Sequence, residues 1–518
     1  MHDDFFNLRW VLEHPAAAYT FDPAVWQKLP FRMLTPLLML SLDLDATLFG
    51  LRPAPFYLHQ LLALGLAAGA FYATLRLRLP ALWSAAGAAL FLLGPPLVSL
   101  AALIMVRHYV EGLLFALLAV AGYLAALGRS AGRGRVAWSA ASAAAYFAAM
   151  AAKEVFVPLA LLLPLVPEGR LHDRLRLAAP HAAALVLYLA YRLYMLDVLV
   201  GGYGWAIAPD ELPAAALALP GKMAATAAGG TAWGAVALAA LLAPAAWLAL
   251  RSRRAALLVV AGALLALAPV LPVSEEVVPR YAAVPWAGGA LAFAFGAGSL
   301  ARRGGAGRGA AVGLLAVALA AGLVANRQAW AEAVDEMGRL EVENRGLLEL
   351  GPDDLLRHPA EYAAALDQLR WLEARLGMPR AAGWFADDVF LCTGGAEGRR
   401  VWGYEASAGR LVEITGRVPA LRRSYCGALR RDVPLEVSFR RTGEELWWEL
   451  GPHAAGDWAL VLGGGERAIA VPARGGYRIG GISSVRLRVR YRSPEGWVAF
   501  SPELLLPLDR PGRYRWRG

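Results

Sequence analysis

Lysine is nearly missing from this chain: Lys28, Lys153 and Lys222 stand against 48 arginines. Charge of any kind is thin, at 18% of 518 residues, while hydrophobic residues reach 58% and mean hydropathy is +0.45. That balance excludes an ordinary soluble enzyme and leaves room for a membrane bundle plus one further domain. Cysteine is scarce as well, and the spacing and neighbours of Cys392 and Cys426 resemble no zinc site. The two leave open a disulfide in an oxidising compartment or a pair of buried thiols. No internal repeat of the helical-hairpin kind recurs, and no low-complexity tract occurs beyond alanine-rich apolar runs. The formal net charge of +10 would suit a nucleic-acid binder, but much of the excess sits in short connections between apolar runs. Topology accounts for it there, and no nucleic-acid partner is expected.

What is present is a series of ten apolar stretches, at approximately 56–75, 81–101, 109–127, 136–152, 155–167, 178–198, 229–250, 255–272, 281–300 and 309–325. Most approach the roughly 20 residues that a bilayer crossing requires. Their connections alternate between arginine-rich and arginine-poor. The basic ones run from Arg76 to Arg78, Arg129 to Arg135, Arg170 to Arg176, Arg251 to Arg254 and Arg302 to Arg308. Cytoplasmic loops hold the positive excess, so the other connections and both chain ends are expected outside. All three lysines fall on that outer side. The stretch 155–167, with Pro158 and Pro164, is too short to cross alone and reads as a broken helix covered by protein.

An outward-facing Met1 has neither a signal peptide nor a preceding span, so a further transmembrane helix is expected upstream of His2. Phe31 to Phe49 reads as an interfacial helix, since Arg32, Asp43 and Asp45 are costly at bilayer depth. The domain reading is an external loop over 1–55, a membrane domain over 56–326, a helical connector over 327–380 and an external domain over 381–518. Alternating runs such as Leu435 to Phe439, Val485 to Val489 and Gly496 to Phe500 predict an antiparallel β-sandwich in the last of these. Trp447, Trp448, Trp458 and Trp497 suit either its core or sugar stacking, with core packing favoured.

Candidate chemistry collects at the outer face. Asp3 and Asp4 could take a proton from an incoming hydroxyl or hold a divalent metal; equally, they suit a helix N-terminus preceding Phe5, Leu8 and Val11. Arg107 and His108 open one span, with Glu111 a turn onward. Lys153 and Glu154 interrupt two others, and Arg280-Tyr281 begins a further one. Each alone fits snorkelling or a structural ion pair. Together on one face they suit an anionic phosphate, which Arg meets as a planar fork and Lys as a point charge. Arg192 and Asp197 are left unassigned.

Several short motifs occur in an order that resembles the GT-C superfamily of membrane glycosyltransferases, in particular the transmembrane half of TMTC-type protein O-mannosyltransferases and similar bacterial proteins. They are Phe31-Arg-Met-Leu-Thr-Pro36, Leu48-Phe-Gly-Leu-Arg-Pro53, Tyr57-Leu-His59, Phe91-Leu-Leu-Gly-Pro-Pro96 with Arg107, Ala151-Ala-Lys-Glu154 and Arg280-Tyr281. The likeness covers roughly residues 1 to 300. Met33 stands where the family usually has Pro and Gly94 where it has His, and no tetratricopeptide array follows.

The resemblance implies a GT-C-like bundle of about ten spans whose first helix lies upstream, with a catalytic acid at Asp3 or Asp4. It implies an inverting transfer from a polyprenyl-phosphate-linked sugar in the outer leaflet of the cytoplasmic membrane. Asp4, or Asp3, would be the general base. Arg107, His108, Lys153, Glu154, Arg280 and Tyr281 would surround the donor phosphate. Arg32 and His59 would border the entrance for an external protein or glycan acceptor. No cofactor is required; a divalent ion, Mg or Mn, bridging carboxylate and phosphate is compatible with this reading without being demanded by it. A lipid-linked glycan transporter and a membrane scaffold with an outer binding domain are the competing readings.

Overall fold

The computed structural model describes residues 2–27, 33–130, 132–199, 212–274, 277–348, 350–357, 371, 374–375, 383–405, 410–442, 445–478, 484–508 and 511–517. The chain forms two units. One contains residues 10–26 and 32–334, the other residues 1–9, 27–31 and 335–518.

The first unit is helical. Short helices α1 (His2–Glu13, continuing in from the second unit), α2 (Ala16–Phe21) and α3 (Pro23–Gln27) precede α4 (Pro36–Phe49), α5 (Pro53–Arg76), α6 (Ala81–Leu92) and α7 (Pro95–Ala102). Then come α8 (Arg107–Leu127), α9 (Arg133–Ala152), α10 (Leu159–Leu162), α11 (Leu171–Leu196) and α12 (Leu212–Ala227). The series ends with α13 (Ala232–Arg251), α14 (Arg253–Leu267), α15 (Pro279–Ala301) and α16 (Gly305–Leu348).

Among the described residues, six segments are long and apolar enough to cross a membrane: Pro53–Arg76, Ile104–Leu127, Ala232–Arg251, Arg253–Val273, Pro279–Ala301 and Gly305–Gly338. The bent pair α6 and α7 makes seven if it counts as one span. Ten apolar stretches were expected, and six or seven of them meet this standard. Helices do occupy the other expected stretches, but α9 is diluted by serine and by Arg133 and Arg135, and α11 carries Asp173, Arg174, Arg176 and Arg192. Between them, Glu154–Leu165 is a short apolar helical run interrupted by Pro158, so three of the ten expected spans lack the length or the hydropathy of a crossing helix.

The 62° bend between α6 and α7 has a local cause. Pro95 and Pro96 have no N–H for the carbonyls of Phe91 and Leu92; the Gly94 N–H turns to the Phe91 carbonyl at 3.2 Å, and Trp286 Nε1 donates to the Leu90 carbonyl at 2.9 Å. A Cβ on Gly94 would collide with that indole, which is why glycine stands at the bend. Close packing recurs between α8 and α9, where a Cβ on Gly122 would come 2.9 Å from the Ser142 Cβ. Of the helix expected over Phe31 to Phe49, only Pro36–Phe49 is helical, as α4; Met33 to Thr35 are not, and residues 31–32 lie outside the described set. Asp43 Oδ2 accepts from the buried Tyr19 hydroxyl at 2.6 Å.

The second unit is sheet-rich beyond α16. The stretch read as a helical connector divides between α16, which runs to Leu348, and strand β1 (Leu355–Arg357); residues 358–370 fall outside the described set. A first small sheet joins β1 to β2 (Gly383–Phe385), β3 (Val401–Glu405) and β4 (Arg410–Glu413) in the order β2-β1-β3-β4, with β1 parallel to both neighbours. That parallel pairing is absent from the sequence reading. Cys392 and Cys426, on short helices Val389–Cys392 and Val418–Gly427, are joined as a disulfide.

The remainder is an antiparallel β-sandwich. One sheet has the order β11 (Val498–Phe500), β10 (Ser484–Arg492), β7 (Asp457–Leu462), β8 (Arg467–Val471), with β12 (Leu504–Pro507) also on β10. Its mate has the order β13 (Gly512–Arg517), β5 (Glu436–Thr442), β6 (Glu445–Gly451), β9 (Arg474–Arg478). Val437, Phe439, Leu446 and Trp448 from one sheet pack against Trp458, Leu460, Val489 and Tyr491 from the other.

Candidate functional site

Two of the buried polar groups inside the helical unit meet at α8, and consecutive residues of that helix divide between them. Neighbours on a helix diverge by about 100°, so Arg107 and His108 serve different surroundings. The guanidinium of Arg107 is fully buried. Its Nη1 donates to Asp45 Oδ2 at 2.6 Å and Ser41 Oγ at 2.9 Å, its Nε to Gln60 Oε1 at 3.2 Å, and its Nη2 to the Phe56 carbonyl at 2.8 Å. The other oxygen of Asp45 meets His59 Nδ1 at 2.8 Å. One arginine thus ties α8 to α4 and α5, and the protein itself uses its donors. Glu111, one turn along, is buried near Arg107 and Asp45, and its Oε2 has no hydrogen-bond partner among the described residues.

The second group forms around Lys153. Helix α9 ends at Ala152, and Lys153 is extended (φ −156°, ψ 132°) before the single helical turn Glu154–Phe156. This break aims the side chain inward: Lys153 is 5% exposed, although the cost of burying an ammonium inside a bundle is high. Its Nζ lies 3.5 Å from Glu154 Oε1, 3.5 Å from Met33 Sδ and 5.8 Å from the centroid of the Tyr109 ring. Phe156 fixes the turn from behind. A Cβ on Gly112 of α8 would run into the Phe156 ring, so glycine lets the turn lie against α8 beside Tyr109.

Further groups converge there. His108 is within electrostatic range of both Lys153 and Arg280. Arg280 is the second residue of α15 and lies over Tyr281, its guanidinium carbon 5.1 Å from the ring centroid. Tyr281 in turn is 6.4 Å from Tyr109, and Tyr109 is 4.8 Å from His108, centroid to centroid. Glu154 is in range of Arg192 as well as Lys153, which gives the unassigned Arg192 a place at the rim. Buried polar atoms nearly always find partners. Here, among the described residues, the buried Oε2 of Glu154 has none, and the His108 ring has only the Met105 backbone within reach.

No protein-family model, no curated protein and no solved structure matches this chain. The site is therefore read from its own residues.

Of the residues expected at a donor phosphate, His108, Lys153, Glu154, Arg280 and Tyr281 are neighbours, and Arg107 is directed instead to Asp45. His59 stands beside that ion pair. Arg32 lies outside the described residues. Asp3 and Asp4 are in α1, and their side chains also lie outside the description. Among the described residues, no group of three or more His, Cys, Asp and Glu is arranged to hold a metal ion. Sequence reading missed Asp45, Ser41 and Gln60 as partners of Arg107, and Tyr109 as the ring under Lys153. The signal for the first was present, since an acid and an arginine both at membrane depth must find each other.

Proposed function

We propose that the helical unit binds the phosphate of a polyprenyl-phosphate-linked sugar and transfers the sugar, with inversion, to a hydroxyl acceptor outside the cytoplasmic membrane. The observation that supports this most is the buried ammonium of Lys153, with His108 in range of both it and Arg280, and a buried Glu154 oxygen that has no partner among the described residues. One carboxylate, Glu154, faces Lys153, and the basic excess suits a phosphate. The resemblance of residues 1 to 300 to GT-C enzymes supplies the reaction class.

In this reading the acceptor oxygen attacks the anomeric carbon as the carbon–oxygen bond to phosphate breaks. The phosphate leaves with an added negative charge, which Lys153 and Arg280 stabilise; such preorganised charge is commonly the largest catalytic contribution. The acceptor proton passes to a base. Asp4 or Asp3 is the candidate from the sequence, and His59 is a second: in the tautomer whose Nδ1–H donates to Asp45, Nε2 is the basic nitrogen, on a side chain 33% exposed. A divalent ion is not required by this scheme. The disulfide and the arginine-rich connections both favour placing the second unit outside the cytoplasm, where it would orient the acceptor.

The test is release of free polyprenyl phosphate from a panel of polyprenyl-phosphate sugars by the purified chain, beside Asp3→Asn, Asp4→Asn, His59→Gln and Lys153→Met. Turnover of one donor, lost in Lys153→Met and in one of the base variants with folding intact, is the expected result. Donors left intact throughout, even with cell-envelope extract as acceptor, would overturn the transferase reading in favour of transport or scaffolding.

A further inference from the structure

One face of the β13-β5-β6-β9 sheet is not used in packing the sandwich. Along β6, Leu446, Trp448 and Leu450 turn into the core, so Glu445, Trp447 and Glu449 project from the other side. The register carries this face across the sheet. Trp447 is opposite Arg440, Arg440 is opposite Arg513, and on its other side Trp447 is opposite Gly476. Two residues along, the row reads Arg515, Ser438, Glu449, Arg474, and beyond it Arg517 is opposite Glu436.

Where this face holds acids, arginines pair with them: Arg474 with Glu449 at 2.6 Å and Arg517 with Glu436 at 2.9 Å. The row through Trp447 contains none. Arg440 and Arg513 are both exposed and directly opposed, an arrangement that destabilises a sheet, and neither has an ion-pair partner among the described residues. Between them and β9 lies Trp447, 43% exposed. Its Nε1 donates to Glu445 Oε2 at 3.1 Å, and a Cβ on Gly476 would come 2.7 Å from its Cε3. The indole therefore lies flat on β9 where glycine leaves room, with its other face open.

We propose that this face binds an acidic polysaccharide. The indole stacks on the apolar side of a sugar ring, and Arg440 and Arg513, with Arg515 alongside, take its carboxylates in forked hydrogen bonds. At the usual strand spacing, the row from Arg513 to Gly476 is about 14 Å across, which accommodates a short run of rings. An anionic bilayer fits less well, because Glu436, Glu445 and Glu449 share the face and a flat indole does not protrude. This proposal rests on the sandwich alone and is independent of the transferase reading.

The experiment is calorimetric titration of the full chain, held in neutral-lipid nanodiscs, with polygalacturonate oligomers. Neutral dextran oligomers and phosphatidylglycerol vesicles are the controls, the latter scored by co-sedimentation. Salt-sensitive binding of polygalacturonate, weakened at least about tenfold by Trp447→Ala and by Arg440→Gln with Arg513→Gln, is expected. All three positions are exposed, and unfolding midpoints at or above the parental value will confirm that the variants fold. No binding of polygalacturonate, equal binding of dextran, indifference to Trp447→Ala, or a preference for the vesicles would each overturn the proposal.

Discussion

Arg107 donates to Asp45 across 2.6 Å, with both side chains buried between α8, α4 and α5. Removing one member of such a pair leaves a buried charge unmatched and costs about 3–5 kcal/mol. Asp45→Asn and Arg107→Met should each lower the unfolding midpoint in detergent markedly. The double variant should recover part of the loss, since it strands neither charge. A pair with no structural role would leave all three midpoints at the parental value.

Lys153 calls for a different pattern. If its ammonium stabilises a departing phosphate, Lys153→Met should lower donor turnover about 100- to 1,000-fold, the loss typical when one stabilising group is deleted. Because Lys153 pairs with Glu154, Lys153→Met leaves that carboxylate unmatched and should lower the unfolding midpoint as well, so turnover is compared per folded protein. Lys153→Arg keeps the charge but must fit a larger planar head beside Met33, so it should retain part of the activity. Turnover of Lys153→Met at the parental rate would remove Lys153 from the chemistry.

The physics of these two groups also explains what was legible in the sequence. Hydropathy was enough to locate most of the long helices and, through Lys153-Glu154, the break between two of them, because a bilayer leaves a local mark; α12 lies in a stretch read as a connection. Which helices cross was less legible than where they lie: serine, histidine and arginine in α9 and α11 lower their hydropathy, and periodicity does not separate a buried helix from a spanning one. Alternation revealed β5 and β10 directly. The parallel strand β1 went unseen because Leu355–Arg357 is only three residues long and sits in a stretch of helical composition. Arg107 shows the deeper limit. Its charge marked it as functional or paired, and only the fold brings Asp45, 62 residues away, to it.

In the sheet-rich unit, the buried carboxylate of Asp387 accepts from the Tyr425 hydroxyl at 2.7 Å and pairs with Arg490. Burial, then the neighbouring Asp387 charge, pushes the Tyr425 phenol well above its ordinary value of 10.0. The folded state therefore holds this proton where the unfolded chain releases it. The contribution is fully present below about pH 10 and is lost as pH rises beyond it. Thermal unfolding followed from pH 9 to pH 11 should show this decline, and Tyr425→Phe should flatten it while costing stability at pH 9 through the lost hydrogen bond. An equal slope in the two proteins would show that other groups govern alkaline unfolding.

Gly112 offers a test of how the Lys153 turn is placed without touching any charged group. The Phe156 ring occupies the space that a side chain at 112 would need, so Gly112→Ala must push Phe156, and with it the Glu154–Phe156 turn, away from α8. The overpacking should cost about 1–3 kcal/mol, and donor turnover should fall further than that loss of folded protein explains, because Lys153 moves from Tyr109 and His108. Phe156→Leu in the same chain vacates part of the ring's space and should restore turnover toward the parental rate. Full activity in Gly112→Ala would mean that the turn can shift without consequence, and restoration of stability without turnover in the double variant would assign Phe156 a role beyond support.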